Sequence, residues 1–419
     1  MRLTLTLMVC VSLLLTGCST KMDDVSAFRI PSPTPFQPGQ EHASDSLYAD
    51  AAPTPLSLPT VSQPSAVSAS SPTLDVQQPT EIVPPTATVP VVINPLTGLP
   101  ASDPNLLDRH PMAIKVTNFP RYTRPQSGLS LADQVFEYYI EGGLTRFIAV
   151  FYGNDSEWVG PVRSGRFFDE HVARMYQAFL VFKFADKRVF DYFKTTDIAD
   201  YLVVPSIGSC PPFQLMELRN IEDYNNNYFN TTAWGECVEK NKLPSNKPNL
   251  RPGYFSDEIP QIAYLDGFKV FTYYSEYSYN YWDYVPELGK YIRYQESNDT
   301  HDGKEESYAM MMDNANGLPV QASNVVVIFA YHEFENPFQE DDEVYQIDLT
   351  GTGEAYVFRD GLGITAKWIR MTHDQPLALT TEYGAPINLR PGVTFYEVIG
   401  TNSFASQGDG EWFFHHETP

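Results

Sequence analysis

Arg124, Arg146, Arg163 and Arg166 stand in one stretch of chain that also carries Glu137, Glu141 and Asp169. A guanidinium presents a planar fork of donors that matches a carboxylate or phosphate, so this set could hold an anionic ligand. The same groups could instead satisfy one another as internal ion pairs. Arg163 and Arg166 lead into FFDEHVARMYQAF, where Phe168, Val172, Met175, Tyr176 and Phe179 keep a helical spacing and Asp169 and Glu170 fall in the first turn. Positive charge at that end opposes the helix dipole, so both arginines need a negative partner, supplied by the chain or by a ligand. Between Arg109 and Arg188 there are eleven Lys/Arg and eight Asp/Glu, a local balance of +3 in a chain whose net charge is -24. That island is where an anionic partner is expected. Nucleic acid is not an expected partner, because a chain at -24 is repelled by a phosphate backbone.

Catalytic signatures are missing. The eight histidines, at 42, 110, 171, 301, 332, 373, 415 and 416, form no H-E-x-x-H, and the sequence holds no G-x-S-x-G elbow, P-loop or GxGxxG. Triads assemble in space, so this excludes no enzyme, but nothing selects a nucleophile. Glu137 and Glu141 on one strand face would lie about 13 Å apart at roughly 3.3 Å per residue, too far for a glycosidase pair. Asp299, His301, Asp302, Glu305 and Glu306 offer oxygen ligands for a divalent cation, although such a loop is more commonly a solvated turn. Cys210 and Cys237 have no His or Cys at metal-ligand spacing. No metal or cofactor is expected.

These residues must be positioned by a hairpin and a helix. Ser130 and Asp133 form a short capping pattern. From Gln134 the chain alternates, with Phe136, Tyr138 and Ile140 on one face and Glu137, Tyr139 and Glu141 on the other. Gly142-Gly143 suits a two-residue turn, and Thr145–Tyr152 is the return strand. A turn centred on the Gly pair puts Arg146 opposite Tyr139.

The flanking chain sets the location. Residues 1–17 read as a secretory leader with an apolar run too short to span a bilayer. The run Leu15-Thr16-Gly17-Cys18 resembles a lipobox, which implies cleavage before Cys18, lipid on that residue and an extracytoplasmic protein anchored to the cell membrane. Thirteen prolines between Ser19 and Ile93, with few aromatics, make residues 18–93 a disordered tether reaching somewhere between roughly 50 and 200 Å. In that compartment Cys210 and Cys237 are candidates for a disulfide, with two buried thiols or a metal pair as the alternative. The remaining residues suggest two parts: a mixed α and β domain at 94–257, and a mainly antiparallel β domain at 258–419, an α+β fold overall. The many aromatics of the second part read as core and cross-strand pairs, with a sugar-stacking platform as the alternative. Thr350-Gly351-Thr352-Gly353 reads as a turn.

Several runs are familiar together. Asn94–Pro100 (NPLTGLP), Arg124–Ser130 (RPQSGLS) with Ala132-Asp133, Glu141-Gly142-Gly143 with Thr145-Arg146-Phe147, and Gly160–Ser164 (GPVRS) resemble the YerB-like bacterial lipoproteins. So do Asn324–Val327, Gly351–Gly353 with Asp360-Gly361, Trp368, and Leu389–Thr394 in the second part. The resemblance implies a two-part extracytoplasmic α+β module and brings no established activity or catalytic residues. The chain departs from the family pattern where Gly165, Arg166 and Phe167 follow Arg163-Ser164. It departs again where Lys247-Pro248-Asn249 replaces a Pro-His-Asn segment, which argues against chemistry through that His.

The expectation is therefore a binding or scaffold lipoprotein recognising a cell-wall glycan, its peptide stem or an envelope protein. The alternative is an envelope hydrolase or transferase built on Glu137, Glu141, Asp169 and His171.

Overall fold

The computed structural model describes residues 91–205, 213–215, 225–338 and 342–419. The leader, Cys18, the tether through residue 90 and Cys210 lie outside the described residues. In the first part, strands β1 (Met112–Thr117), β2 (Gln134–Tyr139) and β3 (Thr145–Phe151) precede helix α1 (Phe168–Met175). Strand β4 (Phe179–Val181), helix α2 (Lys187–Thr195), strand β5 (Leu202–Val203) and helix α3 (Trp234–Asn241) follow. A helix follows Arg166 and a hairpin joins β2 to β3, as expected, but Phe179 lies in β4 and not in the helix; the structure is mainly β, with three α-helices among the described residues.

The second part forms β6 (Lys269–Ser275), β7 (Ser278–Val285), β8 (Lys290–Glu296), β9 (Asn324–Phe334) and β10 (Tyr345–Asp348). Then come β11 (Gly351–Arg359), β12 (Leu362–Arg370), β13 (Thr394–Gly400), β14 (Phe404–Gly408) and β15 (Glu411–His415). Gly351–Gly353 is strand and not turn, because it pairs residue for residue with Trp368–Arg370.

These strands make two large sheets. The larger has twelve strands and contains the order β12-β11-β9-β13-β2-β3-β1-β4-β5. Strands from the two ends of the sequence meet in its middle, where β13 runs parallel to β2 from Thr394↔Gln134 to Val398↔Tyr138. Strands β9 and β13, β1 and β4, and β4 and β5 are also parallel. An alternating sequence does not reveal direction; within the second part most pairs are antiparallel, as expected, and the parallel exceptions are β9 with β13 and β6 with β15. The second sheet has seven strands, ordered β8-β7-β6-β15-β14 along most of its width.

One face of the large sheet is covered by α1, where Phe168 packs on Phe136 and Tyr138. The other is covered by the second sheet, where Trp282 packs edge-on against Phe395. With both faces covered, all six residues of β2 are buried, Glu137 included. Pro85–Pro419 forms one compact unit.

The RPQSGLS run joins the two parts. Arg124 pairs with Glu296 and donates to the Glu296 and Asn118 carbonyls at 2.7 and 3.0 Å. Asp313 accepts from the Gly128 and Ser130 amides, both at 2.7 Å. Asp133 caps no helix; it accepts from Asn94, Tyr152 and Gly153, and burial pushes its carboxyl up to about 6.

Candidate functional site

The β2–β3 loop closes with an Ile140 N–H to Leu144 carbonyl bond of 2.8 Å, leaving three residues between. Gly142 and Gly143 both take positive φ, 70° and 72°, where an L side chain is strained. This longer loop shifts the register by one residue, so Arg146 lies opposite Tyr138 and not Tyr139. Arg146 thus shares the α1 face with Lys115 and Asp169.

Beneath the start of α1 is a buried polar knot. Lys115 donates to Asp169 at 2.9 Å, and Tyr138 bonds both. Burial lowers the Lys115 pKa to about 7, with Asp169 opposing. The other Asp169 oxygen accepts the Arg166 amide at 2.7 Å. Arg146 and Arg166 converge on the Ser164 carbonyl at 2.9 and 3.3 Å. The Arg166 fork then turns outward to Glu141, with Nε to Oε2 at 2.8 Å and Nη2 to Oε1. Arg163 is buried, its amide donating to the Lys115 carbonyl at 3.0 Å.

The Arg166–Glu141 pair forms one wall of a cleft of about 600 Å³. Across it Arg188 forks onto Asp342 at 2.5 and 2.8 Å and reaches Asp186 at 3.0 Å. These bonds hold both carboxyls below their usual range. Glu343 accepts the Gly142 amide at 2.6 Å, and Phe184, Ala185 and Val344 add apolar surface. The cleft gathers the loops that follow β2, β4 and β9, strands that run in one direction within the sheet. Ligands of sheets with parallel strands gather at such carboxyl edges, near helix starts.

The seven candidate residues divide between the two faces. Arg146, Arg163, Arg166, Glu141 and Asp169 cluster at or behind the cleft. Arg124 lies at the seam with Glu296, and Glu137 faces the second sheet. There Arg293 bridges Glu137 and Glu397, the latter at 2.7 Å, with Trp282 donating to Glu397 at 2.8 Å. Burial pushes the Glu137 carboxyl up to about 8, against the pull of Arg293. His171 accepts from Arg370 at 2.9 Å and, buried beside that cation, is held down to about 3. Asp299 pairs with Lys304 at 2.6 Å and His301 with Glu276 at 3.0 Å. Cys237 is buried on α3.

Arg188, Asp186, Asp342 and Glu343 are missed by sequence reasoning because only folding brings the three loops together. Lys115 had a signal: a lysine inside the apolar run MAIKVT demands a buried counter-charge.

A helix-backed mixed sheet, a second sheet on its other face and a charged cleft at its edge define a mainly β scaffold with a ligand-sized site. Residues 96–243 match the family described as "Protein of unknown function (DUF3048) N-terminal domain", and residues 270–396 match its C-terminal counterpart. The chain is 27% identical over 325 residues to YerB of Bacillus subtilis (strain 168), whose name describes it as a candidate lipoprotein; the match covers 76% of this chain and 89% of YerB. The crystal structure of Bacillus subtilis YerB superposes with a TM-score of 0.61 at 22% identity, covering 74% of this chain and 96% of that one. The chain belongs to this YerB-like family. Among the described residues no helix is long and apolar enough to cross a membrane.

Proposed function

We propose that this chain is a lipid-anchored, extracytoplasmic binding module of the bacterial cell envelope, and that the cleft between Arg166 and Arg188 holds its ligand. The carrying observation is the cleft itself, with two guanidinium forks paired to part-exposed carboxylates at a carboxyl edge of the sheet. The lipobox at Cys18 and the candidate-lipoprotein name of YerB support the anchorage. The ligand is a cell-wall glycan, its peptide stem or an envelope protein, and it presents an acidic group to Arg166 and Arg188 with Arg146 behind them.

The test uses the unit from Pro85 to Pro419 and purified cell-wall sacculi, reading retention and released fragments in parallel. Retention without release is expected. Arg166→Ala with Arg188→Ala should lower retention at least tenfold while leaving the melting temperature within a few degrees, since such part-exposed pairs contribute only about 0–1 kcal/mol each. Release of soluble fragments would instead establish a hydrolase. Loss of fatty-acid labelling in Cys18→Ser checks the anchor.

A further inference from the structure

We infer that the cleft takes an amphoteric peptide, one that brings both a carboxylate and an ammonium group. This deepens the binding reading and rests on it. Three donors that line the cleft each hold a carboxylate of the chain: the Arg166 fork holds Glu141, the Arg188 fork holds Asp342, and the Gly142 amide holds Glu343. These acids occupy the places that ligand carboxylates would fill, with the geometry a carboxylate prefers.

Replacing one of them has a consequence for the ligand. When a ligand carboxylate takes the Arg166 fork, Glu141 is left without its cation. An ammonium on the same ligand pairs with Glu141, so one ion pair becomes two and no charge is left facing the cleft alone. The pairs are placed for such exchange: Glu141 is 40% exposed, and Arg188 and Asp186 are 37% and 38% exposed. The two walls are also within electrostatic reach of one another, because Arg166 helps lower Asp186.

The charge balance selects against other ligands. Glu141, Asp186, Asp342 and Glu343 outnumber Arg166 and Arg188, so a phosphate-bearing polyanion meets a surplus of like charge. An uncharged sugar chain leaves both forks with their present partners and gains nothing from them. A peptide also suits the backbone donor at Gly142, above which there is open space, and the apolar strip of Phe184, Ala185 and Val344.

The experiment titrates the full chain in detergent by calorimetry with Gly-Lys-Ala, with its form acetylated on both the α-amine and the Lys side chain, with its carboxyl-amidated form and with tripolyphosphate. The free peptide should bind at least tenfold more tightly than either blocked form, and tripolyphosphate should not bind. In Arg166→Ala the free and amidated peptides should become equal, and in Glu141→Gln the free and acetylated peptides should become equal; circular dichroism confirms that both variants are folded. Equal affinity for all three peptides, or tighter binding of tripolyphosphate, overturns the amphoteric assignment. If sacculi are retained while the peptides are not distinguished, the ligand class falls and the binding reading stands. If neither sacculi nor any probe is held, both fall.

Discussion

Two carboxylates share one guanidinium in the middle of this protein. Glu137 and Glu397 flank Arg293, and the side chains of all three are 1% exposed or less. A single proton on Glu137 makes the group electrically neutral, which is the direction in which burial moves it, from 4.5 to about 8. A carboxyl with a higher pKa folded than unfolded binds its proton more tightly in the native state. Its stabilisation is therefore complete below the unfolded value and is lost as pH rises through the folded one. Measured in urea between pH 5 and pH 7, Glu137→Gln, which does not titrate, should gain stability relative to the parent chain by on the order of 2 kcal/mol. Asp133, raised to about 6, adds a decline of the same sign in both proteins; His171, His332 and His416, held by burial down to about 3, 4 and 2, add a rise in both up to the ordinary imidazole range, and Lys115, lowered to about 7, adds a rise mainly above that window, so the difference between the two proteins isolates Glu137. Parallel pH profiles for the two proteins would remove Glu137 from this role. At this scale the sequence is only half legible: it names Glu137 and Arg124 as needing partners, but Arg293, Glu397 and Glu296 lie far along the chain and carry no local mark.

At the scale of elements, local pattern was a good guide to strands and a poor one to register. Alternation in Gln134–Tyr139 and the apolar run Asn324–Phe334 both mark true strands, and the spacing of Phe168, Val172 and Met175 marks α1. The hairpin differs by one residue, because two glycines with positive φ do not make a two-residue turn when Glu141 joins the loop. Their roles also differ. A Cβ on Gly142 would meet nothing within 4 Å, whereas one on Gly143 would come to 2.9 Å from the Tyr277 ring. Gly142→Ala should thus lose only the left-handed penalty of about 1 kcal/mol, and Gly143→Ala roughly twice that or more, measured by chemical denaturation. Equal losses would show that the ring moves aside freely. The aromatics of the second sheet stack mainly on one another: Phe413, Phe271, Tyr281 and Tyr294 form a row across four strands, with centroids 4.7, 5.1 and 4.6 Å apart. Ring faces used in this way stabilise the sheet and are withdrawn from sugars, as cross-strand pairing predicts.

At the scale of the whole molecule, the two halves of the family pattern share one sheet. Strand β2 has β3 on one side and β13 on the other, so residues 91–257 alone would expose the β2 edge and leave Glu137 buried or hydrated without Arg293. Expressed apart, 91–257 and 258–419 should each lack a cooperative unfolding transition, and mixing them during refolding should restore it. A sharp transition in 91–257 by itself would contradict this. Such long-range closure is invisible to reasoning that reads the chain window by window.

The pairing of Gln134 with Thr394 spans 260 residues. At ribosomal rates of 5–20 residues per second, β2 waits roughly 10 to 50 seconds for β13 to be made, a long interval for an apolar strand with an open edge. A product cut short anywhere before Thr394 never fills the middle of its sheet, so the strand Thr394–Gly400 works as a seal: copies that carry it close, and copies without it leave the β2 edge open to proteases.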